Sequence, residues 1–260
     1  MRSQTRRPSF SNLVNLVIDT ILKQMGLRGN IATLLNQCTA NADDIMPTTR
    51  TKQSLIYTFQ KLKEISTQYG LIVNGQKTKY LRCTRKNYNL EELQINLIYL
   101  EQVQSYKYLG STVNSDNSIE EEIRNRITLG NKVYYANQFL FKSRLVSKKL
   151  KMKLYWIIIR PITTYVCEVW VLKETIKIKL MVFERKVLRK IFGPTKERDG
   201  TWRIKTNYEI DTLIRHRNII NYTKAQSLSW FRHLYRMSEE RMIKKVYKWK
   251  PMLTRSLGRP

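Results

Sequence analysis

Cysteine and histidine are nearly absent from this 260-residue chain, which has three Cys and two His. Cys38, Cys83 and Cys167 are odd in number, widely separated and in no CxxC or Cys/His ligand spacing. That excludes a disulfide framework and fits a reducing compartment. His216 and His233 complete no zinc set and are expected to be ordinary hydrogen-bonding residues. With nine Gly and six Pro there is no Gly/Ser linker, low-complexity tract or internal repeat. The chain also lacks an uninterrupted apolar run. Leu154 to Leu172 is broken by Arg160, Pro161 and Glu168, so a buried helix pair is expected there and no membrane partner. No cleavable apolar run follows the basic stretch Met1 to Pro8, and without export the sequon at Asn221 to Thr223 reads as a chance match. Acid is scarce as well.

What is present is positive charge. Against 20 Asp+Glu stand 48 Lys+Arg, a net charge of +28. Such a field attracts polyanions, of which nucleic acid is the commonest. The excess is uneven: residues 1–145 carry 20 basic and 11 acidic side chains, and residues 146–260 carry 28 and 9. The second part is therefore the stronger candidate for tracking a phosphate backbone. Fifteen Tyr and five Trp are interleaved with the cations, a combination suited to stacking and phosphate contact. The hydrophobic content of 42% supports one large core or two modest ones.

Periodicity places helices at 10–24 and 52–69, the first with Leu13, Val14, Val17, Ile18, Ile21 and Leu22 on one face. Between them, residues 31–48 read as a hairpin. Leu71 to Val73, Tyr80 to Cys83, Leu93 to Leu97 and Tyr106 to Leu109 read as short strands. At Ser118 the period returns to helical, with Ser118 and Glu121 spaced as a capping box. Helices are expected over 147–159, 162–171, 174–192, 208–236 and 239–248, with Pro161 and Gly193-Pro194 as punctuation. The fold class is thus α+β: a unit of short antiparallel strands plus helices over 1–115, then an all-helical basic unit over 116–260.

Within so basic a chain, Asp43 and Asp44 stand out at the expected hairpin tip. Adjacent carboxylates there could hold a divalent cation over a polyanion, as two-metal phosphoryl transfer requires. Three more local signals follow in order: Gly70 to Lys79 after the second helix, Tyr106 to Ser111 before the basic unit, and Tyr155 through Arg160-Pro161 to Tyr165, Glu168 and Trp170.

In this order, and continuing through Phe183 to Pro194, Trp202 to Ile204, Trp230, His233, Arg236-Met237 and Gly258 to Pro260, the chain resembles the reverse transcriptases of non-LTR (LINE-type) retrotransposons from about Ser11 onward. The part resembled is the C-terminal polymerase palm and the thumb-like region beyond it. The resemblance implies an RNA-directed DNA polymerase in which Asp43 is a metal ligand and Asp44 supports the Mg²⁺ site or the primer end. Lys77 would neutralise charge at the leaving pyrophosphate. Tyr106, Tyr108, Leu109 and Gly110 fall in the segment that grips the primer. Lys186, Arg189 and Lys190 lie in the helical part that would contact nucleic acid. The implied partners are an RNA template with a DNA primer or an RNA–DNA hybrid; the implied location is intracellular, and at nuclear DNA for a functional, longer form.

The departures from that pattern are specific. The family's first catalytic Asp lies on a strand upstream of anything here, so upstream palm and fingers, with or without an endonuclease domain, are expected in a fuller form. The nucleotide-positioning loop is reduced to Gln4 to Ser9, Asn41 replaces an aromatic residue, and Pro47 falls in the hairpin's second strand. The chain alone is therefore expected to be an inactive polymerase fragment. The alternative is a non-catalytic basic nucleic-acid-binding protein derived from one.

Overall fold

The computed structural model of the protein describes residues 10–26, 36–84 and 89–248. The expected loop at Gln4 to Ser9, the first residues of the expected hairpin and the terminal Gly258 to Pro260 lie outside them. The chain forms two compact units, Met1–Gly110 with Met237–Pro260, and Ser111–Arg236.

In the first unit, α1 (Phe10–Gln24) and α2 (Lys52–Gln68) follow the expected periodicity. Ile18, Ile21 and Met25 pack on Leu62 and Ile65, joined by Ala40 and Ile45 from the hairpin β1 (Asn36–Asn41) and β2 (Asp44–Thr49). Thr51 caps α2 by accepting a hydrogen bond from the Ser54 amide at 3.1 Å. At the other end, Gly70 takes φ +73°, open to glycine without penalty.

The opposite side of α2 buries Phe59 against Leu93, Ile95 and Leu100 of a three-stranded sheet. Its strands are β3 (Lys79–Leu81), β4 (Leu93–Ile95) and β5 (Ile98–Val103), in order β3-β5-β4. The central strand pairs antiparallel with β4 but parallel with β3, so the strands are not uniformly antiparallel as expected. Leu71 to Val73 form no strand; Val73 instead packs beside the Phe59 cluster. Strand β6 (Ser105–Tyr108) follows, and α10 (Met242–Lys248) belongs to the same unit.

The second unit holds β7 (Ser111–Asn114), α3 (Glu120–Ala136), α4 (Gln138–Lys142) and α5 (Lys148–Leu154). A π-helical turn at Tyr155–Ile159 then leads into α6 (Arg160–Thr163). Pro161 lacks the amide that an α-helix interior needs, and the π turn before it changes the hydrogen-bond register so that the chain stays helical. The expected helix over 162–171 instead ends at Thr163. Val166 adopts φ +58° and leads to a single 3₁₀ turn at Cys167–Val169.

Next come α7 (Glu174–Phe192), the short hairpin β8 (Thr195–Lys196) and β9 (Trp202–Arg203), then α8 (Asn207–Leu213) and α9 (Ile219–Arg236). Strands β8 and β9 mean that the region expected to be all-helical, 116–260, is not. The capping box expected at Ser118 is not formed either: Ile119 is the cap residue, and the Ser118 hydroxyl accepts from the Glu120 amide at 3.3 Å.

Two apolar clusters hold the unit together. One joins Tyr134, Phe141, Met152, Tyr155, Ile159, Phe183, Val187 and Leu188; the other gathers Ile123, Cys167, Trp170, Ile176, Leu180 and Ile219. Helix α7 runs through both. Burial, and next the Glu168 charge, push the Cys167 thiol up to about 11, so this cysteine reports unfolding rather than surface chemistry. Among the described residues, no helix is long and apolar enough to cross a membrane.

Candidate functional site

Asn41 pairs with Asp44, leaving Ala42 and Asp43 as a two-residue hairpin loop. Ala42 holds φ +52°, an unusual conformation for a residue with a Cβ, and its amide donates to Asn15 Oδ1 at 3.1 Å. That bond ties the acid pair to α1. Both Asp43 and Asp44 are solvent-exposed. Pro47 sits within β2 opposite Cys38, in a sheet of only two strands where both are edges and a missing amide is tolerated.

Lys77 is placed in the turn after α2, its amide donating to Asn74 Oδ1 at 3.1 Å. Among the described residues no three or more His, Cys, Asp or Glu side chains gather as a metal group. Mg²⁺ demands near-octahedral oxygen coordination, so two exposed carboxylates do not by themselves fit a two-metal centre.

Tyr106 and Tyr108 lie in β6, Tyr106 exposed and Tyr108 half-buried. Leu109 and Gly110 both have positive φ, +47° and +82°, a conformation that suits the glycine and strains the leucine.

In the other unit, α7 carries the three expected cationic contacts. The Lys186 and Lys190 side chains are exposed, and Lys190 Nζ lies 4.9 Å from the ring centroids of both Tyr134 and Tyr135. It also donates to the Tyr135 hydroxyl at 3.4 Å. This hydrogen bond first, and then the Lys186 charge, hold the Tyr135 phenol below the usual tyrosine range. Arg189 is committed differently. Its Nε donates to the Lys205 carbonyl at 3.0 Å and its Nη2 to Asn207 Oδ1 at 2.6 Å. Arg189 therefore braces the segment after α7, while Lys186 and Lys190 remain the outward charges.

Sequence reasoning gave no role to Glu184, which organises the helical unit. The carboxylate is 2% exposed. Its Oε1 accepts from the Tyr155 hydroxyl at 2.7 Å and Arg160 Nη2 at 2.9 Å, and its Oε2 accepts from the Ile219 amide at 2.7 Å. Arg160 Nη2 also reaches the Arg217 carbonyl at 2.5 Å, and its guanidinium lies over the Tyr155 and Tyr222 rings. Burial, followed by the Glu184 charge, holds the Tyr155 phenol well above its ordinary range. A buried charge is tolerated when it is paired and its lone pairs are filled, as here.

The signal for Glu184 was in the sequence. It falls four residues after Leu180, three before Val187 and four before Leu188, inside the apolar stripe of α7. A second buried pair follows the same logic: Arg126 Nε donates to Glu122 at 2.6 Å, and Glu122 also accepts from the Thr112 amide at 2.8 Å. These paired charges stiffen the unit.

No protein-family profile matches the chain. No solved structure matches it. Its sequence is 24% identical over 220 residues to the uncharacterized transposon-derived protein F52C9.6 of Caenorhabditis elegans, an alignment covering 81% of this chain and 75% of that one. A similarity spanning most of both chains supports a transposon-related origin for this protein.

Proposed function

We propose that this protein descends from the reverse transcriptase of a non-LTR retrotransposon and that its own biochemical property is binding nucleic acid through the basic helical unit. The observation that carries this is the charge of Ser111–Arg236 and its surroundings: structural roles absorb Arg126, Arg160, Arg185, Arg189 and Arg203, yet Lys186 and Lys190 still point outward on α7. The ordered motifs and the transposon-derived relative support the ancestry.

In this reading Lys186 and Lys190 contact phosphates of an RNA–DNA hybrid, and Tyr106, Tyr108, Leu109 and Gly110 descend from the primer-gripping segment. Asp43, Asp44 and Lys77 descend from the catalytic palm. Polymerisation needs at least one further carboxylate beyond those described, so the chain is proposed to bind without extending a primer. Primer extension in Mg²⁺ that Asp43→Asn abolishes would contradict that part.

Binding that rests on neutralised phosphates releases counterions. Affinity for a double-stranded DNA is then expected to fall linearly on a log–log plot against salt, with a slope of about −0.9 for each phosphate contacted. The double variant Lys186→Ala/Lys190→Ala should make that slope shallower by roughly 2. A flat salt response in the unaltered protein would remove the proposal.

A further inference from the structure

A hairpin as short as β8–β9 is not stable alone, since two residues pair with two. Here an unusual amount of polar bracing holds it. Arg203 pairs with Glu197 across the hairpin and binds Glu209 of α8 through both Nη atoms, at 2.8 Å each. Lys205 Nζ donates to the Thr195 hydroxyl at 2.6 Å, and Arg189 of α7 holds the Lys205 carbonyl. Asp199 Oδ1 accepts from the amide and hydroxyl of Thr201 at the tip, where Gly200 takes φ +86°. Thr206 and Glu209 then cap α8 reciprocally.

The hairpin itself buries no large apolar side chain. Trp202 is 66% exposed, Ile204 75% and Tyr208 77%. Exposed apolar side chains are common on protein surfaces, and it is the charge around these that indicates a partner. Glu197 and Glu209 are spent on Arg203, and Asp199 on Thr201. Lys196 stays beside the indole, its Nζ 5.9 Å from the ring centroid, and Arg198 at the tip is exposed. Among the described residues neither Lys196 nor Arg198 is in an ion pair. An exposed indole with Lys196 over its ring and the exposed Arg198 at the tip of the same hairpin matches one stacked base with its phosphates. The paired body of a duplex offers no free base face, so the complementary ligand is single-stranded.

We infer that the Trp202 hairpin is a single-strand binding site, where an unpaired nucleobase stacks on Trp202 and adjoining phosphates meet Lys196 and Arg198. This rests on the nucleic-acid-binding reading above and adds a second contact that distinguishes strand state. It predicts that a single-stranded overhang of an RNA–DNA hybrid, rather than its paired body, lies here.

The test compares the full chain with Trp202→Ala and Trp202→Phe, using fluorescence anisotropy with labelled oligo(dT) and with a blunt duplex of equal length. Trp202→Ala should weaken oligo(dT) binding by roughly 5- to 150-fold while duplex affinity and salt slope stay unchanged. Trp202→Phe should restore most of the loss. Because the ring is exposed, the thermal midpoint of both variants should match the unaltered protein. Oligo(dT) binding by the unaltered chain with no change in Trp202→Ala overturns the hairpin site alone, as does equal weakening on both ligands. If the unaltered chain binds neither ligand, the parent reading and this site fail together. Displacement of oligo(dT) by polyglutamate that depends on Trp202 would mark a site for acidic protein instead, and would also overturn the inference.

Discussion

Glu184→Leu is expected to destabilise the helical unit by about 3–5 kcal/mol, the cost of leaving a buried charge without its partner. Arg160, 7% exposed, would then face the apolar cluster with only the Arg217 carbonyl and two rings to balance it. The Tyr155 hydroxyl and the Ile219 amide would also lose their acceptor. The amide matters particularly, because Glu184 satisfies a donor in the first turn of α9, where a negative charge also meets the positive end of the helix. Arg160→Met/Glu184→Leu should recover part of the loss by removing both charges, but not all, since those donors stay unpaired. Urea unfolding read by the reactivity of Cys167, which lies in the same unit and is 1% exposed, measures this directly. A single variant within 1 kcal/mol of the unaltered protein would mean that water or another group reaches the cavity and that the network is incidental.

Gly130→Ala is the second large effect, and two principles disagree over its sign. Helix propensity favours alanine over glycine by about 1 kcal/mol in the interior of α3. Packing opposes it: a Cβ at Gly130 would lie 2.3 Å from Thr163 Oγ1 and 2.8 Å from Phe183 Cζ. Neither neighbour can move cheaply. Thr163 is fully buried and its hydroxyl donates to the Ile159 carbonyl at 3.0 Å, while Phe183 is 3% exposed within the core. Overpacking of this kind costs about 1–3 kcal/mol and sometimes more, so a net loss is expected. The same urea experiment checks it. A stabilised Gly130→Ala would show that α3 can move away from α6 and α7 freely, which is incompatible with the close approach observed.

How much of this was legible in the sequence differs by element. Helices α1, α2 and α7 were readable because each has a continuous apolar face with distinct ends, Gly70 and Gly193-Pro194 being the clearest stops. The buried position of Glu184 was readable from the same stripe, but its partners were not. They come from Tyr155, Arg160 and Ile219, which no local spacing links to it.

The expected continuous helix over 208–236 fails for the same reason. It breaks between α8 and α9 at Arg215 and His216, both with positive φ, where there is neither Gly nor Pro to announce a stop. The break is set by tertiary bonds: Arg160 takes the Arg217 carbonyl and Glu184 takes the Ile219 amide. Asn221, part of the apparent sequon, donates its side chain to the His216 carbonyl at 2.9 Å and so helps fix this corner.

Strand β5 escaped for a different reason. Leu93 to Leu97 reads as one strand, but Asn96 turns back at φ +54° and Ile98 to Val103 forms the longer, central strand. In the candidate site, Asp43 and Asp44 do occupy a hairpin tip, as the flanking residues implied. In the sequence, Trp202 to Ile204 carries a resemblance and no periodicity that marks a hairpin. Its exposure depends on Arg203, Arg189 and Lys205 bonding to groups up to 18 residues away, which composition does not encode.

Nucleic acid is proposed to engage the basic helical unit. Ultraviolet cross-linking of the full chain to an RNA–DNA hybrid with a single-stranded overhang, followed by mapping of the linked peptides, tests it most directly. The account predicts cross-links within Ser111–Arg236, with the peptides bearing Lys186, Lys190 and Trp202 among the strongest and a salt-sensitive yield. Cross-links confined to the Asp43 and Asp44 hairpin, or none in Ser111–Arg236 under conditions where the chain binds, would contradict it.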